Sequence, residues 1–535
     1  MKDYIIIGGG TAGCILASRL SEDVTARVTL VEAGGSGDGL LYRMPAGYLQ
    51  LMKSGNGNWG FHSVPQAGLG GRAMYFPRGR VLGGSGALNG LVYVRGNPGD
   101  FDHWARLGNR GWSYSDCLPF FRAIECFEGG EDDYRGGDGP IGVSIAAKPD
   151  DMSPIGQALM AAAAEAGFPA TPDYNGAQQE GFARANANVS RGRRQSSAST
   201  YLAAARGRRN LRIVTNAMTT RILLRGGRAY GVEYRHKGRT VQLETSGEVI
   251  LAGGAINSPQ LLQLSGIGPA ALLRDHGVPM VHDLPGVGEN LQDHVGVMVK
   301  QEITQPYSAL AYTQPLKALM ALSQYLLSGT GPATSNGMEV LAFLKSRPGI
   351  DYPDVQYHFP MLLYTDHGRE IIQREGFSAY ANGLRPNSRG RVTIASADPA
   401  AAPRIDPNYF SDPDDLRVTR DAIHMARALI AQPALDGFRG PELEPGKDVR
   451  DDTALNAFIK RTAVSVYHPV GTCSMGQGPL AVVDDRLRVH GVEGLRVVDA
   501  SIMPTITSGN TNAPTMMIAE RAAAFIAGID PVHHD

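Results

Sequence analysis

The apolar run Tyr4 to Ile7 is rich in β-branched residues and predicts a short buried strand. Gly8, Gly10 and Gly13 follow at G-x-G-x-x-G spacing, and Cys14, Ile15, Ala17 and Leu20 then fall at helical intervals. A second apolar run, Val28 to Val31, ends at Glu32. Further along, Leu211 to Val214, Arg221 to Leu224, Ala229 to Tyr234 and Val241 to Thr245 read as short strands of a β-meander. Glu248 to Leu251 reads as another buried strand, closed by Gly253-Gly254-Ala255 and followed by a helix from Ser258 to about Leu264. Alternation at Val355 to Phe359, Ser378 to Leu384 and Arg391 to Ile394 predicts an antiparallel sheet. Helical patterns at Asp414 to Ala431 and Asp452 to Thr462 accompany it. Leu495 to Val498 predicts a last buried strand ending at Asp499, and Thr515 to Ile526 an apolar helix. Leu316 to Leu327 is apolar but shorter than the ~18 residues of a membrane span, and reads as a buried or lid helix in preference to a membrane-surface anchor.

Two strand–glycine–helix units, near residues 8 and 253, predict an α/β protein whose Rossmann-like nucleotide-binding domain is discontinuous in sequence. The antiparallel region between them and the C-terminus predicts an α+β substrate domain. The expected division is 1–150 for the first nucleotide-binding part and 151–205 for a connecting segment. Residues 206–294 form the second nucleotide-binding part, 295–462 the substrate domain, and 463–535 a C-terminal return to the nucleotide-binding domain.

At 535 residues the chain exceeds one ordinary core. Its 67 glycines point to tight turns and close backbone approach to a ligand. Lys+Arg of 51 against Asp+Glu of 52 gives a net charge of −1, which offers no basis for binding nucleic acid or an anionic membrane as a whole. Cys14, Cys117, Cys126 and Cys473 have no metal spacing and read as thiols in a reducing compartment, so no metal is expected. Met1 runs into the first strand without room for a signal peptide. These features place the protein in the cytoplasm, with room for peripheral contact with a membrane but no transmembrane segment.

The chemistry begins at the first glycines. One allows a tight turn, the second admits a pyrophosphate, and the third lets helix and strand pack closely. The helix N-terminus then faces the phosphates with partial positive charge. Glu32, about 20 residues on, sits where a carboxylate accepts hydrogen bonds from ribose hydroxyls; this stretch alone does not choose between FAD and NAD. Pro77 to Trp104 crowds small residues at Gly83 to Ala87, with Asn89 and Gly90 after them. Taken alone, that composition suits a structural loop better than a ligand surface. Arg191 to Arg194 reads as a solvated turn, and His358, His367, His424 and His490 as packed or surface histidines. His468, in VSVYHPVGTCSMG, and an Asn just ahead of the last helix could meet at one site.

Four features together resemble the glucose–methanol–choline (GMC) family of FAD-dependent oxidoreductases over essentially the whole chain. They are the first glycine motif with Glu32, the stretch Gly79 to Asp102, the stretch Gly254 to Gly268 (GAINSPQLLQLSGIG), and the C-terminal HPVGTCSMG…DAS…NTNAP block. The resemblance implies FAD as cofactor, with His468 facing the flavin and a downstream His or Asn as its partner, here matched to Asn512. It implies a cofactor site of Gly8, Gly10, Thr11, Ala12, Gly13, Glu32, Ala33, Val81, Gly83, Asn89, Gly90, Val92, Thr219, Asp499, Ala500, Asn510 and Thr511. Some members attach FAD through a His before the signature Asn. Leu88 stands there in this chain, so a non-covalent flavin is expected. The implied reaction is oxidation of a primary alcohol to an aldehyde. His468 takes the hydroxyl proton, Asn512 supports the alkoxide, and a quinone-type acceptor receives the electrons. The alternatives are an oxygen-using oxidase releasing peroxide and an FAD-containing lyase of the same fold.

Overall fold

The computed structural model describes residues 2–147 and 151–529, so the boundary expected at residue 150 falls outside the described residues. Twelve strands build the two principal sheets: β1 (Asp3–Ile7), β2 (Arg27–Val31), β3 (Gly181–Arg184), β4 (Leu211–Val214), β5 (Glu248–Leu251), β6 (Val295–Ile303), β7 (Met338–Leu344), β8 (Val355–Pro360), β9 (Gly376–Gly383), β10 (Arg439–Glu444), β11 (Val464–Ser465) and β12 (Leu495–Val497). Four helices bear on the site, α1 (Thr11–Leu20), α2 (Gly47–Ser54), α3 (Gly254–Leu264) and α5 (Asn512–Ala527), while α4 (Pro315–Ser328) contributes no residue to its lining.

The first sheet is parallel, in the order β4-β2-β1-β5-β12. Its central strands are covered on both faces, which is why they read as unbroken Val/Ile/Leu runs. Ile5 is in register with Val249 on one side and Thr29 on the other. The carboxyl ends of β1, β2, β5 and β12 run into Gly8, Glu32, Ala252-Gly253 and Val498-Asp499. That edge is where a doubly wound sheet presents its ligand contacts. Leu211 to Val214, expected in the meander, is instead the parallel edge strand β4, with Leu211 in register with Val28. The chain then turns at Asn216 (φ 53°) into a three-stranded antiparallel sheet, Ala217–Arg225, Arg228–His236 and Arg239–Glu244.

The second sheet has seven strands in the order β10-β6-β9-β8-β7-β3, with β11 also paired to β6. Its pairings are antiparallel throughout. Arg391–Thr393 is not part of it, forming a separate ribbon with Arg404–Asp406. Each sheet has its own core, one around Ile5, Val28, Val249 and Met516 and the other around Val297, Tyr357, Ala379 and Leu455. Of the two expectations for α4, a buried or a lid helix, burial does not hold. Only Ala321 and Tyr325 of its residues are buried, because apolar or small residues occupy nearly every position along it, and hydropathy alone does not fix the covered side.

Candidate active site

A cavity of about 650 Å³ runs between the carboxyl edge of the parallel sheet and the face of the antiparallel one. At its nucleotide end the backbone does the shaping. A Cβ on Gly13 would lie 1.8 Å from the Gly8 carbonyl oxygen, so only glycine lets α1 sit this close to β1. In front of Gly10 the space is open, the nearest protein atoms to an added methyl being 3.9 Å away. The buried Glu32 carboxylate accepts from the Gly9 and Gly34 amides, each at 2.7 Å. Burial raises its pKa, and those two amide bonds pull it back. The Thr219 hydroxyl is buried at the same end without a protein partner. Asp499 ties β12 to the start of α3, accepting from the Gly254 amide (2.8 Å) and the Ser258 hydroxyl (2.6 Å). Open space before a glycine turn at a helix N-terminus, a buried carboxylate and an orphaned hydroxyl together fit a dinucleotide.

The opposite end is made of side chains from distant segments. β11 ends at Ser465, and Tyr467 takes a left-handed backbone (φ 68°) just ahead of His468. That strained turn is held on three sides. The Tyr467 amide donates to the Ser465 hydroxyl (2.8 Å), the Arg78 guanidinium to the Tyr467 carbonyl (2.8 Å), and the His468 amide to Asp293 (2.7 Å). Asp293 also accepts from Ser465 and Tyr409, and burial raises it to about 6.

The His468 ring sits between two partners. Its Nδ1 lies 3.0 Å from His294 Nδ1 and its Nε2 lies 3.1 Å from the Asn510 amide nitrogen. Behind it, His294 Nε2 lies 3.0 Å from the Leu384 carbonyl oxygen. A carbonyl only accepts, so His294 carries its proton on Nε2 and presents a bare Nδ1. His468 must then donate from Nδ1, which leaves its Nε2 unprotonated, with a lone pair that accepts from the Asn510 amide. Burial, reinforced by the His294 and His358 rings and the Arg78 guanidinium, holds His468 well below its usual 6.5. Burial likewise lowers His294 to about 4. The imidazole is therefore a neutral base at physiological pH.

Gln356 orients the partner amide. Its nitrogen donates to Asn510 Oδ1 (3.1 Å), which turns the Asn510 NH₂ toward His468. Asn512, the residue expected in that role, lines the same cavity but is bonded to a different partner. Its Oδ1 accepts from the Thr11 hydroxyl (2.9 Å), joining the N-termini of α5 and α1. Asn512 already lies in the first turn of α5, so its side chain follows the helix, whereas Asn510 precedes the helix and faces the imidazole.

Of the expected cofactor residues, Gly8, Gly10, Thr11, Ala12, Glu32, Ala33, Asn89, Gly90, Val92, Thr219, Asp499, Ala500 and Thr511 line the cavity. Gly13, Val81 and Gly83 stand behind its wall: Gly13 under the first turn, Val81 bridged to Gly35, and Gly83 (φ 91°) against Ala87 and Ala198. Sequence reasoning missed His294, and took His358 and His367 for ordinary histidines, although both line the cavity. His358 Nδ1 is buried and has no protein partner. Single histidines on strands and turns carry no spacing signal, so the sequence held nothing to single them out. His424 is exposed, as expected.

A base and an amide facing a dinucleotide cradle narrow the possibilities, and the comparisons with known proteins agree. The GMC oxidoreductase family models match residues 2–296 and 386–519. The chain belongs to the GMC oxidoreductase family. The oxygen-dependent choline dehydrogenase of Photobacterium profundum is 42% identical over 532 residues, covering 99% of this chain and 94% of that protein. The mitochondrial choline dehydrogenase of Mus musculus is 45% identical, covering 98% of this chain and 89% of that protein. Among solved structures, pyridoxine 4-oxidase from Mesorbium loti has a TM-score of 0.89 at 32% identity, covering 98% of both chains. Formate oxidase from Aspergillus oryzae has a TM-score of 0.91 at 26% identity, covering 98% of both chains. As a GMC oxidoreductase the protein is an FAD-dependent enzyme acting on CH–OH donors. The open glycine turn, Glu32 and Thr219 are the residues that would hold the adenosine and pyrophosphate portions.

Proposed function

We propose that this GMC oxidoreductase oxidises an uncharged primary alcohol to the aldehyde, with His468 as the base and Asn510 as the hydrogen-bond donor to the oxygen. The observation that carries the reading is the unprotonated Nε2 of His468 side by side with the Asn510 amide donor, 3.1 Å apart, in the wall of the same cavity as the nucleotide cradle. FAD, when bound, supplies the acceptor for the electron pair that no side chain can take. His468 receives the hydroxyl proton at Nε2 as the carbonyl forms. The Asn510 NH₂, held beside that Nε2, would donate to the oxygen on which negative charge grows, an arrangement worth roughly 3 kcal/mol in comparable sites. His294 and Gln356 fix the two groups in those roles before substrate arrives. The wall of Tyr364, Tyr380, Tyr467, Met298 and Met338 keeps water from the oxygen. Leu88 also lines the cavity and carries no atom able to bond a flavin methyl, which supports a non-covalent cofactor. A quinone-type acceptor suits the apolar entrance. The four unpaired cysteines suit a cytoplasmic enzyme.

Choline is the second reading, favoured by the choline dehydrogenases among the relatives and by tyrosines able to face a cation. Against it, the acidic residues lining the cavity are Glu32 and Asp499, both at the nucleotide end and both held by backbone amides. The test is anaerobic mixing with a panel of aliphatic, aromatic and furanic alcohols and choline, following the flavin band near 450 nm. Bleaching by uncharged primary alcohols well ahead of choline is the expected result. Bleaching by choline alone overturns the substrate reading, and no bleaching by any alcohol overturns the reaction. Repeating the run in air with peroxide detection separates oxygen from a quinone as acceptor.

A further inference from the structure

Among the described residues, exposed large apolar side chains are mostly single or paired, except in one place. On α4, Leu316, Leu319, Met320, Leu326 and Leu327 are 70, 60, 62, 60 and 88% exposed. Their spacing puts them along one side of the helix, opposite the buried Ala321 and Tyr325. Tyr307 and Tyr312, 43 and 47% exposed, precede the stripe. No helix among the described residues is long and apolar enough to cross a membrane.

The charges around the stripe say what covers it. Residues 304–338 contain one lysine, Lys317, and no aspartate or glutamate. At the far end of α4, a Cβ on Gly192 would lie 2.5 Å from the Gly329 carbonyl, so the turn bearing the exposed Arg191 and Arg193 packs directly against the helix end. Arg193 and Arg43 are near enough to act on the Tyr325 phenol. The net charge of −1 is a sum over the whole surface and hides this local excess of cations. Self-association through the stripe would bring two cation-edged patches together with no aspartate or glutamate of residues 304–338 to offset them. An apolar stripe edged by cations and tyrosines matches instead the headgroup layer of an anionic bilayer.

We propose that α4 lies flat in the interface of an anionic phospholipid membrane and docks the enzyme there. The same segment forms the rim of the cavity. Asn336 donates to the Gly90 carbonyl (2.9 Å), Tyr48 donates to the Asn336 carbonyl (3.2 Å), and Met338, with Leu49 and Met52 of α2, lines the cavity. Docking through α4 therefore sets the cavity rim against the bilayer, where an apolar alcohol or quinone is concentrated. This last consequence rests on the function proposed above, whereas the docking itself does not.

The experiment is co-sedimentation of the flavin-loaded full chain with sucrose-loaded vesicles of 3:1 phosphatidylcholine–phosphatidylglycerol, and of phosphatidylcholine alone. Expected is binding to the anionic vesicles, weaker by at least tenfold on the neutral ones. The triple variant Leu316→Ser/Leu319→Ser/Leu327→Ser should lose at least tenfold, and Arg191→Glu/Arg193→Glu several-fold, with unchanged melting temperatures and unchanged bleaching by a water-soluble alcohol. Wild-type protein that stays in the supernatant overturns the proposal, as does a triple variant that pellets like wild type. So does sedimentation velocity showing a dimer that the triple variant dissociates, with no vesicle binding by either protein; a second copy then covers the stripe. Because vesicle binding is read without turnover, its failure leaves the alcohol reading standing, and the reverse holds.

Discussion

The two ends of the cavity are built on different principles. The nucleotide end is backbone geometry: glycines at Gly8, Gly10 and Gly13, one carboxylate at Glu32, and main-chain amides, most of it within thirty-odd consecutive residues. The redox end is side-chain geometry, with His294, Gln356, His358, His468 and Asn510 arriving from four separate stretches of chain. A backbone site tolerates change in side chains that merely face it but not a Cβ where two main chains touch. A side-chain site depends on each proton being where its neighbours put it.

The largest effect expected from this contrast is at His468. Changing His468→Ala should leave a yellow, flavin-loaded protein whose anaerobic reduction by alcohol is slower by roughly 10³-fold. Rapid bleaching of that variant by stopped flow would remove His468 as the base. Next comes the pair of asparagines. Asn510→Ala should slow reduction about 10²-fold, whereas Asn512→Ala should leave the rate within about threefold and loosen flavin retention on dilution, since its contact is with Thr11. Reversed outcomes would restore Asn512 to the catalytic role. At the nucleotide end, Glu32→Gln should weaken FAD binding about tenfold, measured by fluorescence on titrating apoprotein, with the pH dependence of reduction unmoved.

The smallest effect is on stability, and its direction follows from the buried histidines. His294 and His358 are each lowered to about 4 and His468 is held well below its usual 6.5, by burial first in every case. As pH falls below ~6.5 the unfolded chain takes up protons that the folded chain refuses, so stability declines toward pH 4. Asp293 works the other way between its unfolded 3.8 and its folded value of about 6, and offsets part of one histidine's effect. The melting temperature should therefore drop by roughly 5 °C between pH 7 and pH 5, and a His294→Asn/His358→Asn variant should flatten that slope.

Much of the fold was legible because local pattern and tertiary role coincided. β1 and β5 are almost fully covered and carry near-unbroken apolar runs, while β2 and β12 keep enough buried Val and Leu around Thr29 and Arg496 to read as strands. Leu211–Val214 was misplaced because a short strand of mixed burial carries no mark of which partner it pairs with. The exposed side of α4 escaped for a related reason: a helix apolar nearly all round does not declare which side is covered.

The linear chain by itself determined the glycine turn with Glu32 and the two-sheet α/β plan, and it singled out His468 as a candidate. These rest on residues close in sequence, or on runs whose burial leaves one solution. Tertiary structure alone decided that Asn510 and not Asn512 faces the imidazole, that His294 sets its tautomer, and that His358 joins the site. Those facts depend on where separate strands and helix ends point their side chains, and spacing along a chain does not encode direction in space.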